Sequence, residues 1–397
     1  MSTLGKRVYV KAYRGFESLP LRHSCIFTAF SLAAKASFPM INGVPRILIL
    51  RLSAIGDVVR VLPALHAIRD LHPNAQIDWA VEPKSRDVVE GHPALDQVHV
   101  FERSADWLHS SREFIRFSRL LRQQRYDIVL DFHGIAKTGL LMRATRAKQR
   151  IAFAPPRSQE MSYLFATQKV SLVSARMNRV EENLELCKAL GAKRHILDVT
   201  IDVPEDVEDT VHAYFIKTFH GAKRVVAMHI AVDRPEKQWP LQHFADLADM
   251  LLADGRFEVM LTWGPGQWEM AEEVRRLAHR NPVIAPELPD LKHYCALVQQ
   301  ADLYFGGDTG PMHLASAMDT PVVAVFGGTD PVRHGPMRQP NAILYRGLEP
   351  FPEGMSLSDA QEALSRVHPE EAYRTCVELI FPRRVPRGTS AQAPDPR

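Results

Sequence analysis

Short, nearly unbroken apolar runs alternate with segments whose apolar residues return every three or four positions, and the chain passes through this alternation twice. In the first half Ile47–Leu52, Ile77–Val81, Gln97–Phe101 and Ile128–Leu130 read as strands, extended by short ones at Arg150–Phe153 and Lys169–Ser171. The second half restarts at Arg224–His229 and continues through Glu258–Thr262, Leu303–Phe305 and Val322–Phe326. A run such as Ile47–Leu52 is too continuous for a sheet with one wet face, so it predicts a strand buried on both sides. Strands separated by helical segments imply parallel pairing through crossover helices. The expectation is an α/β protein of two Rossmann-like domains facing one cleft. They join near residues 195–222, where Pro204 and the acidic Glu205, Asp206, Glu208 and Asp209 suit a solvated connection.

Two strand-to-helix corners stand out. In the first, Ser53-Ala54-Ile55-Gly56-Asp57 follows the opening strand and leads into a helix expected over Val58–Leu71, with Val58, Val61, Leu62, Leu65 and Ile68 on one face. Asp57 can cap that helix and still face a ligand at the carboxyl end of the strand, where open α/β sheets bind. In the second, Gly306-Gly307-Asp308-Thr309-Gly310-Pro311-Met312-His313 follows another apolar strand. Asp308 or Thr309 is placed to cap the next helix, and Pro311 suits its first turn. The first-turn N–H groups of such a helix favour an anion, and a diphosphate is the natural occupant. No G-x-G-x-x-G follows a strand and no GxxxxGK[ST] occurs, so neither a dinucleotide fingerprint nor a P-loop explains the pattern.

With 397 residues, the chain has room for two domains, and 46% hydrophobic with 24% charged residues describes a globular protein. A net charge of +3 is too small to argue for nucleic acid. Cys25, Cys187, Cys295 and Cys376 lie far apart without CxxC spacing, which reads as reduced thiols of a cytoplasmic protein and suggests no metal site. Residues 1–44 carry basic residues and a short apolar stretch containing Thr28 and Ser31. They read as a disordered leader or an upstream start rather than an export signal. The tail 383–397, rich in Pro, Ser, Ala and Arg, reads as disordered.

The corners, taken with Asp131-Phe132-His133-Gly134, Lys137-Thr138-Gly139, Glu236-Lys237-Gln238-Trp239-Pro240, Trp263-Gly264 and Val325-Phe326-Gly327-Gly328-Thr329-Asp330-Pro331, resemble glycosyltransferase family 9, the lipopolysaccharide heptosyltransferases. Each motif alone is weak; the ordered set over residues 45–382 is specific. The resemblance implies a GT-B fold with an acceptor domain at 45–205, a nucleotide-sugar domain at 206–368 and a helix at 369–382 crossing back to the first domain. It implies ADP-L-glycero-D-manno-heptose as donor and a Kdo or heptose hydroxyl of the lipopolysaccharide inner core, as in Kdo-lipid A, as acceptor.

Single displacement with inversion needs one base and no carboxylate nucleophile; Asp57 is the candidate base. Lys237 is placed to neutralise the leaving diphosphate. No Asp-x-Asp pair occurs, so no metal and no cofactor is expected. By resemblance Glu269 lies near the donor ribose, Asp308 near sugar hydroxyls, and Thr309, Gly310 and His313 near the diphosphate. Ser53, Gly56, Gly134 and Lys137 are expected on the acceptor rim, with Arg103 and Arg157 as looser matches to Kdo-facing positions. Arg112, Arg116, Arg119, Arg122 and Arg125 recur at spacings of four and three, a basic stripe suited to peripheral contact with the cytoplasmic face of the inner membrane. His133, Pro311 and Pro289 depart from the heptosyltransferase I pattern, leaving open a different sugar or acceptor. A GT-B type sugar-nucleotide epimerase is the rival enzyme class.

Overall fold

The computed structural model describes residues 44–102, 107–192, 199, 201–219, 221, 223–352 and 354–382. The expectations for the leader up to residue 43, for the tail beyond 382 and for Arg103 lie outside the described residues.

Twelve described strands form two parallel six-stranded sheets. The first comprises β1 (Arg46–Leu50), β2 (Gln76–Val81), β3 (Gln97–Val100), β4 (Ile128–Asp131), β5 (Gln149–Phe153) and β6 (Gln168–Val170), in the order β3-β2-β1-β4-β5-β6. The second comprises β7 (Arg224–His229), β8 (Phe257–Thr262), β9 (Val283–Ile284), β10 (Leu303–Gly307), β11 (Val322–Phe326) and β12 (Asn341–Tyr345), in the order β12-β11-β10-β7-β8-β9. Registers such as Ile47↔Ile77 and Ile47↔Ile128 put β1 between two neighbours, and Ile47–Leu50 are fully buried, as a continuous apolar run requires. The two-residue β9 and the half-buried edge strand β12 were not anticipated; neither carries a long apolar run.

The first lobe's helices are α1 (Ile55–Val59), α2 (Leu62–Leu71), α3 (Arg86–Val89), α4 (Trp107–Gln123), α5 (Ala136–Thr145) and α6 (Arg179–Lys188). The second lobe carries α7 (Glu205–Thr218), α8 (Leu241–Asp254), α9 (Trp268–Leu277), α10 (Leu291–Gln300), α11 (Gly310–Ala317), α12 (Pro331–His334), α13 (Leu357–Ser365) and α14 (Pro369–Ile380). The single helix expected over Val58–Leu71 is two, broken at Arg60 and Val61, with Pro63 in the first turn of α2. Asp57 is not its cap: α1 starts at Ile55 with Ala54 at the cap position, and the Asp57 carboxylate pairs with arginines instead.

The last helix corrects a second expectation. Rather than returning to the first lobe, α14 lies on α8, with Ala372 and Cys376 buried in the same core as Trp239, Phe244 and Phe257. Its apolar stripe has a ready partner there, and Trp239 Nε1 donates to Val367 O (3.0 Å) just before the helix begins.

Each sheet reverses its winding beside its first strand, between β1 and β4 and between β7 and β10. Loops on either side of such a reversal part at the carboxyl ends of the strands and leave a crevice. These are the loops that carry Ser53–Asp57 and His133–Lys137 in one lobe, and Ile230–Lys237 and Asp308–Gly310 in the other.

Candidate active site

The two crevices meet. Helices α1 and α11 pack against each other across the lobes, and their glycines make this possible. A Cβ on Gly56 would lie 2.7 Å from His313 Cδ2, and one on Gly310 would lie 3.2 Å from the Ile55 Cβ. Gly56, expected on the acceptor rim, is therefore buried at the lobe seam, where any larger side chain would hold the lobes apart.

A charged network crosses this seam. Asp57 pairs through Oδ2 with Arg51 and through Oδ1 with Arg60 Nη1 (2.8 Å). Arg60 then reaches the second lobe: Nε donates to His313 Nε2 (3.1 Å), Nη2 lies 2.6 Å from the same nitrogen, and Nη2 is 3.8 Å from Asp308 Oδ1. Asp308 Oδ2 accepts from Lys237 Nζ (2.7 Å) and from Thr329 Oγ1 (2.8 Å), while Lys237 Nζ also donates to the Asp308 carbonyl (3.0 Å). Thr309 is the cap residue of α11 but its side chain does not cap, and Asp308 is spent on Lys237 and Thr329.

Electrostatics set each protonation state. Burial alone would raise the Asp57 carboxyl, but Arg51 and Arg60 outweigh it and hold the group well below the usual carboxylate range. Asp308 is likewise opposed by burial, and is pulled well below its ordinary value by its neighbours His313, Lys237 and Arg60. Both carboxylates are ionised near neutrality. Burial and then Arg60 push His313 down to about 4, so the imidazole is neutral and its Nε2 accepts from Arg60. In this arrangement it offers no positive charge to a phosphate.

On the first-lobe side, buried Asp131 builds the second loop: it accepts from the N–H groups of His133 and Gly134 (both 3.0 Å) and from Thr138 Oγ1 (3.0 Å). Gly134 has φ +77°, a conformation that favours glycine. Lys137 pairs with Glu82 (3.0 Å), and Ser53 is half-buried beside this loop. Arg157 sits behind the loop rather than in the open crevice. Its Nε meets the fully buried Glu182 (2.9 Å), and its other nitrogens donate to His133 O and Phe132 O. Glu182 also meets Arg179 and, across the seam, Arg333 (3.0 Å). Glu269 is exposed in the first turn of α9, at the carboxyl end of β8.

The structure thus brings Asp57, Lys237, Asp308, Thr309, Gly310 and His313 to one seam, with Ser53, Gly134 and Lys137 around the neighbouring loop. Sequence reasoning missed Arg51, Arg60, Glu182 and Thr329. A charge directly after the run Ile47–Leu50, and another amid the apolar positions of the next helix, were the available signals for the two arginines.

A family model described as glycosyltransferase family 9 (heptosyltransferase) matches residues 114–359. The chain belongs to glycosyltransferase family 9. Among its family 9 relatives, lipopolysaccharide heptosyltransferase 1 of Escherichia coli K12 is 28% identical over 299 residues, 72% of this chain and 89% of that protein. Two solved structures share the fold. That of E. coli ADP-heptose lps heptosyltransferase II superposes with a TM-score of 0.69 at 19% identity, covering 84% of this chain and 98% of the other. E. coli heptosyltransferase WaaC with ADP-2-deoxy-2-fluoro heptose gives 0.65 at 24%, covering 84% and 99%. The GT-B fold expected from the family 9 motifs is the fold of this chain.

Proposed function

We propose that this glycosyltransferase moves L-glycero-D-manno-heptose from ADP-heptose to a Kdo or heptose hydroxyl of the lipopolysaccharide inner core, by one inverting displacement and without a metal. The observation that carries the reading is the pairing of two unlike carboxylates across the lobe seam. The Asp57 side chain is 35% exposed, whereas that of Asp308 is 2% exposed and locked to Lys237. Only the first can meet an acceptor hydroxyl; the second orients a lysine.

In this reading residues 45–205 bind the acceptor and 206–368 the donor. Asp57 takes the proton of the attacking hydroxyl as the new C–O bond forms, and the bond from the anomeric carbon to the diphosphate breaks. Lys237 and the N-terminal amides of α11 at Thr309 and Gly310 meet the charge that develops on the leaving group. Glu269 is assigned to the ribose, and Ser53, Gly134 and Lys137 to the acceptor. The donor and acceptor chemistry is carried over from the related heptosyltransferases. The departures at His133 and Pro311 favour, as a second reading, a family 9 enzyme with a different sugar or acceptor.

Contact with a membrane is part of the proposal. Among the described residues no helix is long and apolar enough to cross a membrane. Arg112, Arg119 and Arg122 are exposed along α4 together with Ile115, itself 49% exposed, a face suited to an anionic surface.

The test is heptose transfer from ADP-heptose to Kdo-lipid A, read by mass spectrometry with chelator present. Product from the unsubstituted enzyme, reduced about 100-fold or more by Lys237→Ala, is expected. Tight ADP-heptose binding without product would discard the acceptor, and failure to bind ADP-heptose would discard the donor.

A further inference from the structure

The two arginines on Asp57 are not equivalent. Arg51 is anchored inside its own lobe: Nη1 donates to Phe132 O (2.9 Å), and its carbonyl accepts from Trp79 Nε1 (3.1 Å). Arg60 has its backbone fixed in the first lobe, where its carbonyl accepts from Asn183 Nδ2 (3.0 Å). Its guanidinium contacts beyond Asp57 all lie on the donor lobe: His313 on α11, Asp308 before α11, and His334 of α12, whose Nδ1 is 3.4 Å from Nη1. One side chain therefore joins the candidate base to the corner where a leaving diphosphate is expected.

We propose that Arg60 is a positioning residue that couples occupancy of the donor site to the freedom of the Asp57 carboxylate. The inference rests on the reading of Asp57 as base and of α11 as the diphosphate corner. The guanidinium is shared between Asp57 Oδ1, the His313 imidazole and, at 3.8 Å, the Asp308 carboxylate. A diphosphate at α11 offers charged acceptors that a planar guanidinium binds in pairs. Turning toward it loosens the bond to Oδ1, while Arg51 keeps Oδ2 and so preserves the carboxylate's orientation. The freed oxygen then accepts the proton of the acceptor hydroxyl. The electron pair of the breaking sugar–phosphate bond leaves on the diphosphate, facing Arg60 and Lys237. The base is thus released where a donor is present and held quiet where none is.

Charged and titratable groups facing Asp57 from other elements are Arg51 after β1, His133 after β4, Arg179 on α6 and His313 on α11. None of the others joins Asp57 directly to the donor lobe by an ion pair or hydrogen bond among the described residues.

The test is a binding cycle rather than a rate. ADP is titrated by calorimetry into the full-length enzyme, Asp57→Asn, Arg60→Gln and the double variant, with melting temperatures recorded for each. Coupling through Arg60 predicts that Asp57→Asn tightens ADP about tenfold when Arg60 is present and far less when it is Gln. Arg60→Lys keeps the charge without the fork and is expected to fall between, and it serves as the arginine-site variant should Arg60→Gln not fold. Equal tightening in both backgrounds, with only the melting temperature altered, would overturn the coupling and leave Arg60 a structural tie. No ADP binding by the unsubstituted enzyme would sink the donor reading and the coupling together. Transfer retained by Asp57→Asn would remove the base, and with it the role given to Arg60.

Discussion

The two strand-to-helix corners look alike in sequence, each a buried strand, a glycine, an aspartate and a short helix, yet they hold their carboxylates in opposite ways. At the first, Asp57 lies within α1, a third exposed, gripped by two arginines at the edge of a crevice. At the second, Asp308 precedes α11, is almost fully buried, and is closed off by Lys237 and Thr329. The difference lies in where the aspartate falls relative to the helix start. One position past the glycine of α1 projects into the seam between lobes; two positions before the glycine of α11 points back into its own sheet end. A carboxylate that must meet a substrate stays reachable, whereas one that orients a cation can be sealed.

That contrast is most exposed to a pair of substitutions. Asp57→Asn is expected to reduce transfer by about three orders of magnitude or more with a smaller loss of stability, because the amide oxygen at that partly open position still accepts from the nearly buried Arg51 and Arg60. Asp308→Ala is expected to lower transfer and also to destabilise by about 3–5 kcal/mol, since it strands a half-buried lysine without its partner. Chemical denaturation beside the transfer assay separates them; equal stability losses would dissolve the distinction.

The glycines provide a second, smaller contrast. Gly56→Ala drives a methyl group to 2.7 Å from the His313 ring, while Gly310→Ala meets Ile55 at 3.2 Å. The first is expected to cost about 1–3 kcal/mol and the second less, with transfer falling in the same order. Melting curves and rates on the two variants would check the ranking.

The third contrast is the pH dependence of stability. His229 and His313, both buried, are pushed down to about 4, chiefly by burial. They stay neutral in the fold while the unfolded chain takes up protons near pH 6.5, so stability should fall as pH drops from about 6.5 toward 4 and be level above it. Each contributes on the order of 1 kcal/mol per pH unit in that window. His313→Asn should flatten the decline in melting temperature by removing one of these depressed histidines, which also include the partly buried His133 and His334, and an unchanged slope would count against a neutral His313.

Much of the architecture was legible because strands buried on both faces leave an unmistakable apolar run. The strands β9 and β12 were not, being respectively too short and half-exposed. The break between α1 and α2 was hidden because Val58, Val61, Leu62 and Leu65 keep helical spacing straight through it. The amphipathic face of α14 announced that it packs, but not on which lobe, since periodicity encodes burial and not the identity of the neighbour. Within the site, Asp57, Lys237 and Asp308 could be named from their corners. Arg60 could not, because its partners His313 and His334 lie more than 250 positions away.

By itself the sequence determined that this chain builds two parallel α/β sheets and which loops stand at their carboxyl ends, because burial and backbone geometry act over a few neighbouring residues. Only the tertiary structure decided that Gly56 and Gly310 face each other, that Arg157 is spent on Glu182, and that Arg60 spans from Asp57 to His313. The first and last are meetings of distant segments set by how two packed sheets seat against one another, while Arg157 meets Glu182 through packing within one lobe; no local pattern of apolar or charged residues carries that information.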